Sequence, residues 1–301
     1  MGQSIRSFPP ISSELSGRDA RLDVRVSEVA ELKEAAMPTT WDHSSQEEFI
    51  EYYSEKSFLP EQLRHFSSVR DAILRALSRN NGCLASYEIL DVGCAAGGQC
   101  SVWAEQGHCV HGIDVNGSLI EIAREKAREA GQAIDYRLGS ATELPWNDGS
   151  MDVCIAMELL EHIEDWRACL REVARVVKPG GALFVSTTST LCPVQHEFNL
   201  AGYSWYPGPL KRHFERLAKT TRPALANYAK YPAVNWFDPY RLGSELKARG
   251  FSPYDRFDLV DATGKSGIAK VILSSIQSLP PLRFLAHVCT PGTYLLAIKN
   301  A

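Results

Sequence analysis

Ile89-Leu90-Asp91-Val92-Gly93-Cys94-Ala95-Ala96-Gly97-Gly98 is an apolar run that ends on an acidic residue and breaks into a glycine-rich turn. A short apolar run of this kind reads as a buried strand, over Glu88 to Gly93, and the residues from Gly98 to Gln106 follow as a helix stopped by Gly107. In a doubly wound sheet the ligand lies outside the carboxyl ends of the strands, where the chain turns from the first strand into the first helix. Gly93 and Gly97 let the backbone approach such a ligand, and the helix beginning near Gly98 points its free N–H groups into the crevice.

The same unit repeats downstream. Val110 to Val115, Ile134 to Leu138, Asp152 to Met157 and Ala182 to Thr187 read as strands separated by helical patterns, with Asp165 capping one helix and Lys178-Pro179-Gly180-Gly181 breaking it. Asp238-Pro239 opens a further helix, and Tyr254 to Val260 and Thr293 to Lys299 complete seven strands. The fold class is therefore α/β, a doubly wound, mostly parallel, Rossmann-like seven-stranded sheet. The expected organisation is a loose arm over 1–40, a helical lid over 41–82 and a main domain over 83–301. Insertions at 189–237 and 261–292 interrupt that domain, the first as a cap.

Bulk composition limits the partners. With 301 residues, 45% of them hydrophobic, the chain can bury a full core. A net charge of -4 gives no general attraction to nucleic acid, so none is expected as a partner. The eight cysteines contain no C-x-x-C pair and read as reduced thiols. No apolar run is long enough to span a bilayer, and a cytoplasmic protein, monomer or homodimer, is expected.

Asp114 ends the second strand at 23 positions after Asp91, close to the offset at which an acidic residue meets ribose hydroxyls. A nicotinamide or flavin enzyme would require G-x-G-x-x-G, and Ala95 stands at the middle glycine. A nucleoside cofactor without pyrophosphate has less need of it.

Residues 85–190 resemble the class I S-adenosylmethionine-dependent methyltransferases. The likeness runs through Ile89 to Cys94 and Gly97, Gly112-Ile113-Asp114, Gly139-Ser140-Ala141, Leu159-Leu160-Glu161-His162 and Lys178-Pro179-Gly180-Gly181. It implies S-adenosylmethionine as cofactor. Asp91, Gly93, Cys94, Ala95 and Gly97 would hold its methionine portion, Asp114 its ribose and Ser140 and Ala141 its adenine edge, with Val115 and Met157 also at the cofactor. The family often carries Asp where Ser140 stands.

A sulfonium methyl is already electrophilic, so the protein has to align a nucleophile and, for a hydroxyl acceptor, take a proton. Glu158, Glu161 and His162 at the end of the fourth strand are the catalytic candidates, with His162 as base. This Glu-x-x-Glu-His string resembles the ubiquinone-biosynthesis O-methyltransferases and the small-RNA 2′-O-methyltransferases. The second likeness implies a divalent cation such as Mg2+ on Glu158, Glu161 and His162. A further ligand is needed, and His196, in Gln195-His196-Glu197-Phe198-Asn199, is the candidate. In the cap, Tyr203, Trp205, Tyr206, Phe214, Tyr228, Tyr231, Trp236 and Phe237 suit a flat or apolar small-molecule acceptor. Lys211, Arg212, Arg216, Lys219, Arg222 and Lys230 suit an acidic group on it, or form a solvated helix face. The segment 261–292 reads as a packing helix or dimer contact. The reading is an O-methyltransferase of a small aromatic or carboxylate-bearing metabolite. N- or C-methylation, RNA modification and a non-catalytic cofactor-binding subunit stay open as alternatives.

Overall fold

A computed structural model describes residues 47–82, 84–226 and 233–300. The expected arm, 1–40, lies outside them, as do Cys83, Tyr228, Lys230 and Tyr231.

Helices α1 (Glu47–Lys56) and α2 (Pro60–Asn81) precede the sheet. Then follow β1 (Glu88–Val92), α3 (Gly98–Ala104), β2 (Cys109–Asp114), α4 (Gly117–Glu129), β3 (Ile134–Leu138), β4 (Met151–Met157), α5 (Trp166–Val176) and β5 (Val177–Thr187). The cap contributes α6 (Gly208–Thr220) and two short 3-10 turns. Beyond it come α7 (Pro239–Lys247), β6 (Phe251–Asp255), α8 (Arg256–Leu259), α9 (Gly267–Ser278), α10 (Pro280–Val288) and β7 (Thr293–Lys299).

The strands form one sheet in the order β3-β2-β1-β4-β5-β7-β6, parallel except for β7, which runs antiparallel to β5 and β6. The expected doubly wound, mostly parallel architecture holds. Strand order reverses between β1 and β4, which places a crevice above their carboxyl ends.

Alternation along the strands feeds two cores. Leu90, Val92, Leu183 and Val185 pack with Leu170 and Val173 of α5 and Leu242 and Leu246 of α7 on one face. Ile89, Ala182 and Phe184 pack with Val69, Ile73 and Leu77 of α2 and Trp103 of α3 on the other. Side-chain caps start the crossover helices: Asn116 accepts from the Leu119 N–H and Asp165 from the Ala168 N–H.

Two boundaries differ from expectation. The sixth strand ends at Asp255, because Asp255 and Asp258 form a capping box that starts α8 where Tyr254 to Val260 was expected to be extended. The Lys178–Gly181 stretch stays in the sheet as an irregular start to β5, with Val177 paired to Met151 and a register shift before Val153. Within 261–292, α9 half-buries Ala269, Leu273 and Ile276, while Ile268, Val271 and Ile272 face outward. Among the described residues, no helix is long and apolar enough to cross a membrane.

Candidate active site

Two adjoining cavities open above the carboxyl ends of β1 and β4. The first, of about 470 Å³, is lined by Tyr52, Tyr53 and Phe66 of α1 and α2, by Asp91 and Gln99, and by Glu158, Glu161 and Glu197. The second, of about 420 Å³, runs past Asp114, Val115 and Asn116 to Gly139, Ser140, Ala141 and Thr142. Tyr53, Gly93, Ala95, Met157, Glu158 and His162 border both.

The glycine-rich turn is tied to the end of β2. Gly93 and Cys94 donate their N–H groups to the Ile113 carbonyl at 2.8 and 3.1 Å. Ala95 sits in the left-handed region, at φ 47°, and donates its N–H to Asp114 Oδ2 at 2.9 Å. Asp114 Oδ1 accepts from the Asn116 N–H at 2.8 Å. Each carboxylate oxygen retains a second acceptor site, so Asp114 can set the loop and still take a ligand hydroxyl.

Two glycines are needed for packing. A Cβ on Gly97, whose φ is +87°, would lie 2.2 Å from the Tyr136 hydroxyl oxygen. Gly97 lines neither cavity above; its left-handed backbone and the Tyr136 ring that closes against it require glycine there. A Cβ on Gly98 would come 2.2 Å from the Ser57 carbonyl oxygen, so the α1–α2 junction rests on the turn itself.

Asp91 is 4% exposed and accepts a hydrogen bond from the Cys100 thiol at 3.5 Å. Burial pushes its carboxyl up to about 7; the thiol bond pulls it back, and the Asp114 charge adds to the rise. Beside it Gln99 is also 4% exposed, and neither of its amide atoms has a protein hydrogen-bond partner. Buried amides are costly unless paired, so an orphaned one on a cavity wall marks where a polar ligand group belongs. Ser140 is exposed, and its hydroxyl pairs with that of Thr142 at 2.8 Å.

The turn after β4 carries Glu158, Glu161 and His162. Glu158 takes up φ 47°, and its N–H bonds the Ser186 carbonyl at 2.9 Å. This strained backbone sits at the border of the two cavities. Glu161 is fully buried; its Oε2 accepts from the Thr187 hydroxyl at 2.7 Å, while Oε1 has no hydrogen-bond partner. The end of the cap clamps this turn: Asn235 Nδ2 donates to the Leu160 and Ile163 carbonyls, and the Val234 N–H to the Glu161 carbonyl. Burial lowers the His162 imidazole to about 4, so it is neutral at physiological pH.

Glu158, Glu161 and Glu197 each bring a carboxylate oxygen within 4.8 Å of the others. Burial, then repulsion from Glu158, pushes Glu197 up to about 7 and holds Glu161 well above the usual carboxylate range. The acidic partner supplied by the cap is thus Glu197. His162 and His196 line the first cavity but do not join the cluster, which replaces the expected ligand set of Glu158, Glu161, His162 and His196.

Most of the cap aromatics face one another. Tyr203 stacks on Phe198 at 4.1 Å and meets Trp236 edge-on, and Tyr206 packs on Phe214, forming a small separate core. Trp205 is exposed and Phe237 joins the main core. None of these lines either cavity; the aromatic wall is Tyr52, Tyr53 and Phe66. Arg212, Arg216, Lys219 and Arg222 lie exposed, on the solvated side of the cap. Gln99 and Glu197 are the site residues that sequence reading missed. Signals for both exist: Gln99 is a polar residue in the buried first turn of α3, and Glu197 follows the suspected His196.

Residues 90–185 match the family described as methyltransferase domain. A ubiquinone biosynthesis O-methyltransferase of Xanthomonas oryzae pv. oryzae is 41% identical over 175 residues, covering 55% of this chain and 73% of that protein. The Bradyrhizobium sp. protein of the same name is 38% identical over 122 residues, 40% of this chain and 48% of its own length. Among solved structures, Haemonchus contortus phosphoethanolamine N-methyltransferase 2 aligns with a TM-score of 0.48 at 16% identity, over 84% of this chain and 60% of that one. The chain belongs to the class I S-adenosylmethionine-dependent methyltransferases. Its similarity is to the ubiquinone-biosynthesis O-methyltransferase type, although the chain spans only about half the length of the Bradyrhizobium relative.

Proposed function

We propose that this chain transfers the methyl group of S-adenosylmethionine to an oxygen of a small acceptor held in the first cavity. The observation that carries this reading is the Glu158–Glu161–Glu197 cluster, placed where that cavity meets the second. The second cavity suits a nucleoside, with Asp114 for ribose hydroxyls and Ser140, Ala141 and Thr142 along the base. Asp91 and the orphaned Gln99 amide suit the charged amino-acid end. When bound there, the sulfonium supplies an electrophilic methyl group.

The donor set fits a divalent cation. Three carboxylates that repel one another, one with a buried oxygen lacking a partner, are hard donors of the kind Mg2+ takes. Such an ion supplies Lewis acidity toward an acceptor oxygen. Around it the chain orients the acceptor against Tyr52, Tyr53 and Phe66 and keeps water from the border between the cavities. His162, neutral because buried, accepts the hydrogen bond of an acceptor hydroxyl, and the carboxylates take up the proton.

The pH dependence follows from Glu197. Its carboxyl is raised to about 7, so Glu197 is ionised above that pH and loses its charge, and with it part of the cluster's hold on a cation, as the pH falls through 7. Labelled S-adenosylmethionine assayed against phenols, carboxylic acids and amines should show transfer to oxygen with an acid limb near pH 7. That limb should disappear in Glu197→Gln, and a chelator should remove most of the rate. Transfer to amines alone, or full turnover in metal-free protein with the limb intact in Glu197→Gln, would overturn the reading.

A further inference from the structure

At the opposite edge of the sheet, the first residues of β1 and β2 and the second of β3 bring a different set of groups together. Glu88 pairs in register with Cys109, and His111, two positions along β2, shares its face with Cys109 and pairs with Asp135. His111 Nδ1 lies 3.2 Å from Asp135 Oδ2. His111 Nε2 lies 3.1 Å from Glu88 Oε2 and 3.8 Å from Cys109 Sγ. The donor atoms of Glu88, Cys109 and His111 all fall within 4.8 Å of one another.

In the tautomer whose Nδ1–H faces Asp135, the Nε2 lone pair faces the Glu88 carboxylate. Two acceptors at 3.1 Å are compatible only with a proton or a cation between them. The third donor, a thiol, is one that a cation of the zinc type takes. Two ligands at ~2.1 Å from one tetrahedral ion stand about 3.4 Å apart, and nitrogen and sulfur ligands about 3.6 Å. The observed separations bracket those values. A carboxylate holding the second nitrogen of a ligating histidine is the arrangement that orients imidazole toward zinc. The Trp146 ring packs edge-on against His111 at 5.8 Å, and Arg137 holds Asp135 in place at 2.8 Å. Cys109 is exposed, so the fourth position is open to water.

The geometry points to a Zn2+ site formed by Glu88, Cys109 and His111, with Asp135 as the positioning residue. Thiolate and imidazole select zinc or its spectroscopic substitute cobalt over magnesium, which separates this site from the all-carboxylate cluster at the other edge. Lying at the amino ends of the strands, it clamps β1, β2 and β3 together and takes no part in the chemistry above their carboxyl ends.

Titration of the full chain with Co2+ tests it. Wild type should develop a near-ultraviolet thiolate charge-transfer band with the visible bands of a tetrahedral ion, and stoichiometric Zn2+ should abolish them. Cys109→Ser should remove the charge-transfer band, and Asp135→Asn should keep it while weakening the affinity about tenfold or more. Thermal melts with and without Zn2+ should differ for wild type and coincide for Cys109→Ser. Absence of the band in folded wild type would overturn the site. A band that persists in Cys109→Ser would also overturn it, assigning the thiolate to another cysteine such as the exposed Cys289.

Discussion

Asp91→Asn isolates the group on which cofactor binding is expected to depend most. In the free protein the Asp91 carboxyl is raised to about 7 because it is buried, with only a thiol donating to it. A ligand ammonium beside it favours the ionised form and draws its pKa back toward the ordinary carboxylate range, so affinity is complete above about 7 and falls as the pH drops below it. For a single such group the dissociation constant rises about tenfold between pH 8 and pH 6. The ligand's own amino group, which titrates near 8, pulls weakly the other way over this interval. Asparagine keeps the shape of the side chain and removes the charge. Losing one buried charge-assisted hydrogen bond costs about 1.5–3 kcal/mol, or roughly 10- to 150-fold in affinity at pH 8. Isothermal titration calorimetry of wild type and Asp91→Asn with S-adenosylhomocysteine at pH 6, 7 and 8 measures both quantities. The variant should bind weakly and lack the wild-type slope. Equal affinity and an equal slope in the two proteins would refute the assignment of Asp91 to the ammonium.

Asp114→Ala should both weaken cofactor binding and lower the melting temperature, since it leaves the Ala95 and Asn116 N–H groups without their acceptor, at about 1–3 kcal/mol. Calorimetry with a thermal melt separates the two effects, and unchanged cofactor affinity would remove Asp114 from the site. His162→Ala should lower kcat while leaving cofactor affinity within about threefold, because the residue sits where the two cavities meet and no anionic group is lost. Steady-state kinetics at a wild-type rate would end its role at the acceptor.

The sheet was legible because its signals are local. Apolar runs, glycine stops and Asp165 and Asp238 caps each act within a few residues, and their order forces βαβ crossovers. The strand expected at Tyr254 to Val260 failed for a similarly local reason: Asp255 and Asp258 supply a capping box, which outweighs the aromatic and β-branched residues around it. The site divides in the same way. Asp91, Asp114 and the Glu158–His162 string stand at strand ends, so their motif positions place them. Glu197 and Gln99 become site residues only through tertiary packing, Glu197 because the cap folds back over β4 and Gln99 because α2 closes above α3. The cap aromatics misled for the complementary reason: an insertion of this size must bury an interior of its own, and Phe198, Tyr203 and Trp236 are spent on it.

Tyr53 forms part of the wall of both cavities, and the segment that carries it rests on the turn at Gly98. Two molecules bound against a shared wall need not bind independently. If filling one cavity displaces the ring and changes the affinity of the other by some factor, thermodynamic linkage requires the second molecule to return the same factor to the first. The difference between the acceptor's affinity for the cofactor-loaded protein and for the empty protein is therefore a measure of how firmly α1 is seated. Substitutions at the Ser57–Gly98 contact, which touch neither molecule's reacting atoms, should change the order in which the two ligands load.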